Sequence, residues 1–340
     1  MALGRVMVMM SGGVDSSVAA ALLHETGYDV TGVTLKLWGG ESDSGCCSVG
    51  DVEDARRVAA QLGIPHYVFN FGDDFNDHVV EPYVAAYASG QTPNPCVDCN
   101  RMMKWGRAFE RAQQLGFDFV ATGHHARVVQ TEDGPALARG ADIAKDQSYV
   151  LYMLGPGELA RTLLPVGELT KEEVRELART LGLRTASKRE SMDVCFITRG
   201  GREAFLGARI PRRDGAIVDT RGAQVGTHDG VDAFTIGQRR GLGVAVGARR
   251  YVVDLSVSDA TVTVGPRDAL LRDRVRLREA HFVRTPPTDM LVQTRAHGSV
   301  TPARLIGRDI VFATPQPRVA PGQVVACYDG DVCCGGGIAA

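Results

Sequence analysis

Seven consecutive residues near the amino end, Ser11-Gly12-Gly13-Val14-Asp15-Ser16-Ser17, are of the types that bind an anion. Two adjacent glycines let backbone N–H groups approach a phosphate, and the three serines add hydroxyl donors. Asp15 needs a different reason to be there. A carboxylate among phosphate-seeking groups makes sense when Mg²⁺ bridges it to a pyrophosphate. No Gly-Lys-Ser/Thr follows, so this is not a kinase-type P-loop, and the spacing is not that of a dinucleotide fingerprint. The bland alternative is a helix start that uses glycine only for its turn.

Thiols form the second group. Cys96-Val97-Asp98-Cys99 is a C-x-x-C pair, the pattern of a metal clip or a redox dithiol. Tetrahedral zinc would need a second pair, and Cys333-Cys334 lacks the spacing. An iron–sulfur cluster on Cys96, Cys99 and Cys195, with one iron left open, is another use. A further one makes Cys99 a nucleophile and Cys195 a persulfide carrier, since thiolates attack sulfur and activated carbon. Beside Phe196 and Ile197, Cys195 also suits a buried core thiol.

These groups must be held by regular elements. Val6-Met10 reads as a buried strand and Ser17–His24 as a helix, so the glycine loop lies between strand and helix, where N–H groups face an anion. Asp29–Leu37 reads as a second strand. Asp51–Leu62 reads as a helix stopped by Gly63, and Pro65–Asn70 as a third strand. This β-α-β-α-β order predicts an α/β, doubly wound parallel sheet that binds ligands at the carboxyl ends of its strands. Asp74–Ala88 reads as helix. Thr92–Asn100, with Pro93 and Pro95, reads as an extended loop. A helix over Arg101–Leu115 follows, and then a fourth strand, Phe119–Gly123. Thr170–Glu173 is a capping box whose helix ends at Gly182.

From about Arg199 helix periodicity fades. Ile217–Asp219, Tyr251–Asp254 and Ala260–Val264 read as strands, and short strands from Leu291 to Tyr328 suggest a small β-barrel. The expected domains are residues 1–204, a mostly-β domain at 205–270, and a barrel domain at 271–340. Residues 199–318 carry 20 Arg, no Lys and 12 acids, a net of +8, while the whole chain is at −2. That asymmetry suits nucleic acid docking on the later half. Scattered solvated arginines would look the same. With 44% hydrophobic and 23% charged residues the composition is that of a soluble globular protein. The first apolar run is too short for a membrane span, and eight cysteines in 340 residues do not resemble a secreted disulfide framework. The expected compartment is the cytoplasm.

The glycine loop resembles the SGG-x-DS loop of the PP-loop ATP pyrophosphatases, which cleave ATP between the α- and β-phosphates. The whole chain resembles one branch of them, the bacterial tRNA-specific 2-thiouridylases. The match runs in order through Met10–Ser17, Thr92–Pro95 with Cys99-Asn100, Ala121–His124 and Lys145–Tyr149. It continues through Pro165–Leu169, Cys195–Ile197, Gly237–Gly243 and Tyr328–Asp331. The resemblance implies ATP, with Mg²⁺, on Met10, Ser11, Gly12, Gly13, Val14, Asp15, Ser16 and Ser17, with Leu35 and Gly123 beside the adenosine. It implies adenylation of O2 of a tRNA wobble uridine. Cys195 would carry a persulfide charged by a sulfur-relay protein or cysteine desulfurase. Cys99 would attack it, release sulfide and leave a Cys99–Cys195 disulfide, or assist otherwise.

Asn94, Pro95 and Cys96 fall at positions near the target base. His124, Lys145, Asp146, Gln147, Thr294, Arg295 and Gln323 fall at tRNA-contacting positions. The expected state is a monomer with no membrane partner. Two departures stand out. Many relatives carry Asp where this chain has Cys96, which removes a proton-transfer group. Gln293-Thr294-Arg295 stands where relatives often have Arg-Tyr-Arg. The third cysteine strengthens the [4Fe-4S] alternative.

Overall fold

The computed structural model describes residues 3–38, 48–189, 194–197, 201–244 and 249–340. Cys46 and Cys47 lie outside them. The chain divides into two compact units. The first comprises residues 1–80, 95–199 and 331–335, and the second residues 81–94, 200–330 and 336–340.

The first unit begins β1 (Arg5–Met9), α1 (Val14–Glu25), β2 (Asp29–Lys36), α2 (Val49–Leu62), β3 (His66–Asn70) and α3 (Gly72–Phe75). After α4 (Glu81–Ala88), which belongs to the second unit, it resumes at α5 (Pro95–Asp98), a π-helix over Cys99–Ala108, and α6 (Phe109–Gln114). β4 (Phe119–Ala121), the hairpin β5 (Ala126–Thr131) and β6 (Gly134–Arg139), α7 (Pro156–Leu159), β7 (Thr162–Leu163) and α8 (Lys171–Thr180) complete it. Five strands form one sheet in the order β3-β2-β1-β4-β7, and every pairing is parallel. The parallel α/β fold expected from the sequence is present.

β1 is central and covered on both faces, which is why Val6, Met7 and Val8 form an unbroken apolar run with no exposed surface. Val18, Ala19 and Ala20 of α1 and Val58 and Ala59 of α2 pack on Val6, Val8 and Val30. Small residues on α1 let that helix lie close to the sheet. Ser48 caps α2 by accepting from the N–H of Asp51, and Gly63 ends the helix at φ 71°. Thr170 and Glu173 form the expected capping box on α8.

Two local expectations fail for stated reasons. Residues 72–88 are not one helix: a π-turn over Asn76–Val80 interrupts them. Pro82 follows at once, and it has no N–H to continue the i→i−4 series. Pro95 does not keep Thr92–Asn100 extended. It opens α5, because proline is well suited to a first helical position, where the N–H would be unbonded anyway.

The second unit contains α9 (Gly201–Gly207) and a four-stranded sheet of β8 (Gly215–Asp219), β9 (Gln224–His228), β10 (Tyr251–Ser256) and β11 (Thr261–Gly265), ordered β10-β11-β8-β9. Ile217, Phe234, Leu242, Val252, Val262 and Val264 make its core. β12 (Leu271–Phe282), β13 (Met290–Gln293), β14 (Thr301–Ile306), β15 (Asp309–Pro317), β16 (Val324–Asp329) and β17 (Val332–Ala339) follow, residues 332–335 of β17 being counted in the first unit. They close into a six-stranded barrel through the β12–β17 pairing. β12 was not legible in the sequence. Its charges alternate and only Val275 and Leu277 are buried, so its apolar signal is too sparse. No helix among the described residues is long and apolar enough to cross a membrane.

Candidate active site

The glycine loop joins the carboxyl end of β1 to α1. Gly13 is the N-cap of α1 and offers no side-chain cap, so the first-turn N–H groups are available to an outside acceptor. Gly12 takes φ +72°, and a Cβ there would lie 2.2 Å from the Asp51 carbonyl oxygen. Only glycine fits that position. Ser16 Oγ accepts the Ser11 N–H at 3.1 Å, and Ser17 Oγ donates to the Gly13 carbonyl at 2.8 Å. Two hydroxyls expected to bind phosphate thus also set the loop's shape. Met10 and Val14 are buried in the core, which leaves only their backbone for a ligand to meet. Leu35 lies buried on the adjoining strand, and its neighbour Thr34 donates to the Met10 carbonyl at 2.8 Å. Gly123 presses on the start of α1: a Cβ there would stand 2.5 Å from the Ser16 nitrogen.

Asp15 is held from two sides. Lys171 Nζ donates to both carboxylate oxygens at 2.7 Å, and His125 Nε2 donates to Oδ1 at 3.1 Å. Burial pushes the Asp15 pKa up, but the hydrogen bonds from His125 and Lys171 and the Lys171 charge outweigh it, and the net shift is downward. The carboxyl therefore stays ionised. In this structure the Lys171 ammonium supplies the countercharge to the Asp15 carboxylate. Across the loop, Lys188 Nζ donates to the Gly12 carbonyl at 2.9 Å, to Asp51 at 2.6 Å and to Asp54 at 2.7 Å. Burial opposes that charge, yet the bonds and charges of Asp51 and Asp54 prevail and raise the Lys188 pKa.

Sequence reasoning missed Lys171, Lys188 and His125 as site residues. One signal existed for the first. A lysine in the opening turn of a helix faces the positive end of the dipole, so it needs an anion nearby.

His124 is buried. Its Nε2 lies 3.3 Å from Lys104 Nζ, which can only donate, so Nε2 accepts and Nδ1–H donates to Thr122 Oγ1 at 2.7 Å. Burial and the Lys104 charge hold its pKa well below the usual value, so the ring is neutral. Gln147 Oε1 accepts the His125 N–H at 2.9 Å and so belongs to the support of Asp15. Asp146 faces inward: its oxygens accept from Gly140 N–H at 2.9 Å, Ser148 N–H at 3.0 Å and Ser148 Oγ at 2.9 Å, with Arg139 at 3.4 Å. The Asp146 carboxylate thus holds the shape of its own turn. Lys145 is half-buried in that same turn.

Cys99 opens the π-helix and is buried, Cys96 is exposed, and Cys195 is half-buried, with none of the three in a disulfide. Phe196 beside Cys195 is buried against Trp38 and Phe75. Among the described residues no three His, Cys, Asp or Glu side chains gather closely enough to hold a metal ion. Pro95 starts a helical turn on which Cys96 is exposed, and Cys99, just after it, is buried. Cys333 and Cys334 are buried fillers, and burial pushes the Cys333 thiol up to about 12.

In the second unit Gln323 donates through Nε2 to the Thr92 carbonyl, two residues before Asn94. Thr294 and exposed Arg295 follow the end of β13, where Gln293 Nε2 holds the Arg295 carbonyl at 2.9 Å.

A parallel sheet, an uncapped glycine loop at its central strand, and following β domains define a PP-loop α/β protein with β-sheet and barrel extensions. Three family profiles match in sequence: tRNA methyl transferase HUP domain over residues 4–199, tRNA methyl transferase PRC-barrel domain over 203–266, and aminomethyltransferase beta-barrel domain over 272–339. A tRNA-specific 2-thiouridylase MnmA of Roseiflexus sp. (strain RS-1) is 48% identical over 368 aligned positions, covering 98% of this chain and 99% of the relative. That of Chloroflexus aurantiacus (strain ATCC 29366 / DSM 635 / J-10-fl) is 47% identical over 351, covering 98% of each. The chain belongs to the tRNA-specific 2-thiouridylase family. Among solved structures it is similar to the U34-tRNA thiolase NcsA from Methanococcus maripaludis with its [4Fe-4S] cluster. There the TM-score is 0.39 and identity 18%, over 57% of this chain and 61% of that one, too slight a likeness to bear on ligands.

Proposed function

We propose that this protein converts the wobble uridine of tRNA to 2-thiouridine, consuming ATP and a persulfide sulfur. One observation carries the reading: an uncapped nucleotide loop and two thiols outside any disulfide, Cys99 and Cys195, occur in one folded unit. ATP lies on the loop of residues 11–17, with Leu35 and Gly123 at the adenosine. Uridine O2 attacks the α-phosphate and pyrophosphate leaves. An amide-like carbonyl oxygen is a poor leaving group, and the adenylate turns it into a good one.

Cys195 carries the sulfane sulfur, supplied by a relay protein or cysteine desulfurase. The Cys99 thiolate attacks Cys195 Sγ and expels the outer sulfur as sulfide. Sulfide adds to C2, and AMP departs with the oxygen. The two electrons that reduce the sulfane sulfur come from the thiols, which end as a Cys99–Cys195 disulfide that an external thiol resets. The uridine must leave its stack to reach the pocket. Asn94, Pro95 and Cys96 attend the base. His124, Lys145, Gln147, Thr294, Arg295 and Gln323 serve the tRNA, with Gln147 also bracing His125. A thiol at Cys96 does not replace a carboxylate as proton carrier, so that step falls to another group or to water. The site of action is the cytoplasm, and the working form is a monomer.

Mass spectrometry of tRNA nucleosides tests this. Depletion of the protein should abolish 2-thiouridine, and Cys99→Ser and Cys195→Ser should each fail to restore it. Undiminished 2-thiouridine in cells with no paralogue would overturn the reading.

A further inference from the structure

The arginines of the second unit fall into two groups. Many have their guanidinium engaged by a carboxylate: Arg212 on Asp229, Arg221 on Asp219, Arg304 on Asp289 and Arg318 on Asp254. Arg239, Arg240, Arg249 and Arg250 do not. Among the described residues their side chains make no ion pair or hydrogen bond. Arg239, Arg249 and Arg250 line one cavity of about 560 Å³, together with Gly241, Gly243 and Val244. Among the described residues no acidic side chain lines it.

The cavity is built rather than incidental. Gly237 N–H donates to the Val252 carbonyl at 2.8 Å, and Val252 N–H donates to the Gln238 carbonyl at 2.9 Å. Val252 is the second residue of β10, so one strand start pins both arginine pairs. Leu242 is buried in the core of the four-stranded sheet and anchors the loop from below. Gly241 and Gly243 flank it at φ +70° and +68°. A Cβ at Gly243 would meet nothing within 4 Å, so that glycine is there for its backbone angle and leaves the wall open. Three uncompensated guanidiniums around an open cavity repel one another, and the arrangement gains by taking an anion. The volume exceeds a single phosphate and suits a run of linked phosphates.

We propose that this cavity is a phosphate subsite that grips the sugar–phosphate backbone of tRNA and reads no base. The assignment rests on the tRNA reading above. The shared chemistry is that of any linked phosphates, and RNA is chosen over free polyphosphate because the open mouth admits a continuing chain.

The test uses the full chain, an unmodified tRNA transcript, and inorganic tripolyphosphate. Equilibrium binding is measured from 50 to 300 mM salt for wild type, for the triple variant Arg239→Gln, Arg249→Gln, Arg250→Gln, and for Arg221→Gln as a control that removes a paired arginine. A protein thermal melt reports folding. The triple variant should melt like wild type, bind tRNA at least about tenfold more weakly at 0.1 M salt, and lose about 2 from the slope of log K against log salt. Arg221→Gln should change neither by more than about twofold. An unchanged slope in the triple variant, with tRNA-binding wild type, overturns the subsite alone. Saturable tripolyphosphate binding that the variant loses, with tRNA binding intact, assigns the cavity to a free polyphosphate and overturns the RNA assignment. Wild type that binds no tRNA overturns the parent reading itself.

Discussion

At the scale of single residues, close approach and buried charge set the site. Gly123→Ala would place a methyl carbon 2.5 Å from the Ser16 nitrogen, so the start of α1 must shift. Overpacking of that kind costs about 1–3 kcal/mol, and pyrophosphate release should fall far more than tRNA binding. A variant with wild-type ATP turnover would show that the contact is dispensable. Lys171→Met leaves Asp15 with His125 alone. Removing one partner of a half-buried pair should cost about 2 kcal/mol in chemical denaturation, below the fully buried limit because Asp15 is partly solvated. Asp15 also has a pH signature. Its folded pKa is lowered, so its contribution is complete above the ordinary carboxyl value of 3.8 and is lost as pH falls through the lower folded value. His124 acts in a higher window. Folding holds its ring neutral, so stability is full above 6.5 and declines as pH drops below 6.5, where the unfolded chain takes up a proton first. His124→Asn should flatten urea-measured stability between pH 6.5 and 5. Equal slopes in the two proteins would refute this.

At the scale of elements, capping chemistry was legible and proline chemistry was misread. Thr170, Glu173 and Gly182 announce both ends of α8 because each satisfies a backbone group that the helix leaves unbonded. Thr170→Ala should cost about 1 kcal/mol, and a matching rise in amide exchange should appear in the first turn of α8, which carries Lys171. Pro95 reads as a breaker, yet its sequence position alone does not say whether it precedes a helix or interrupts one. The outcome matters, because Cys96 lies exposed on α5 and Cys99, which follows it, is buried. Strand β12 escaped detection because a barrel wall with one wet face needs only Val275 and Leu277 inside.

At the scale of the whole molecule, the last ten residues matter to the nucleotide unit. Val332 pairs with Ala138, the Asp331 carbonyl accepts the Arg139 N–H at 2.9 Å, and Asp331 meets Arg127 at 3.4 Å. Removing residues 331–340 should therefore increase amide exchange in β5 and β6 and lower the melting temperature of the first unit, not only that of the barrel. Exchange unchanged in that hairpin would show the strand to be dispensable there. Local order along the chain was enough to determine the parallel sheet, the loop at the end of β1 and the ordered motifs of the family. Strand periodicity, glycine spacing and helix caps are written in neighbouring residues. The sequence could not say that Lys171 neutralises Asp15 across 156 positions, that Lys188 braces Gly12, that Asp146 faces inward, or that Cys99 is buried while Cys96 is exposed. Those are facts of burial and long-range charge pairing, and they exist only once distant segments share one low-dielectric interior.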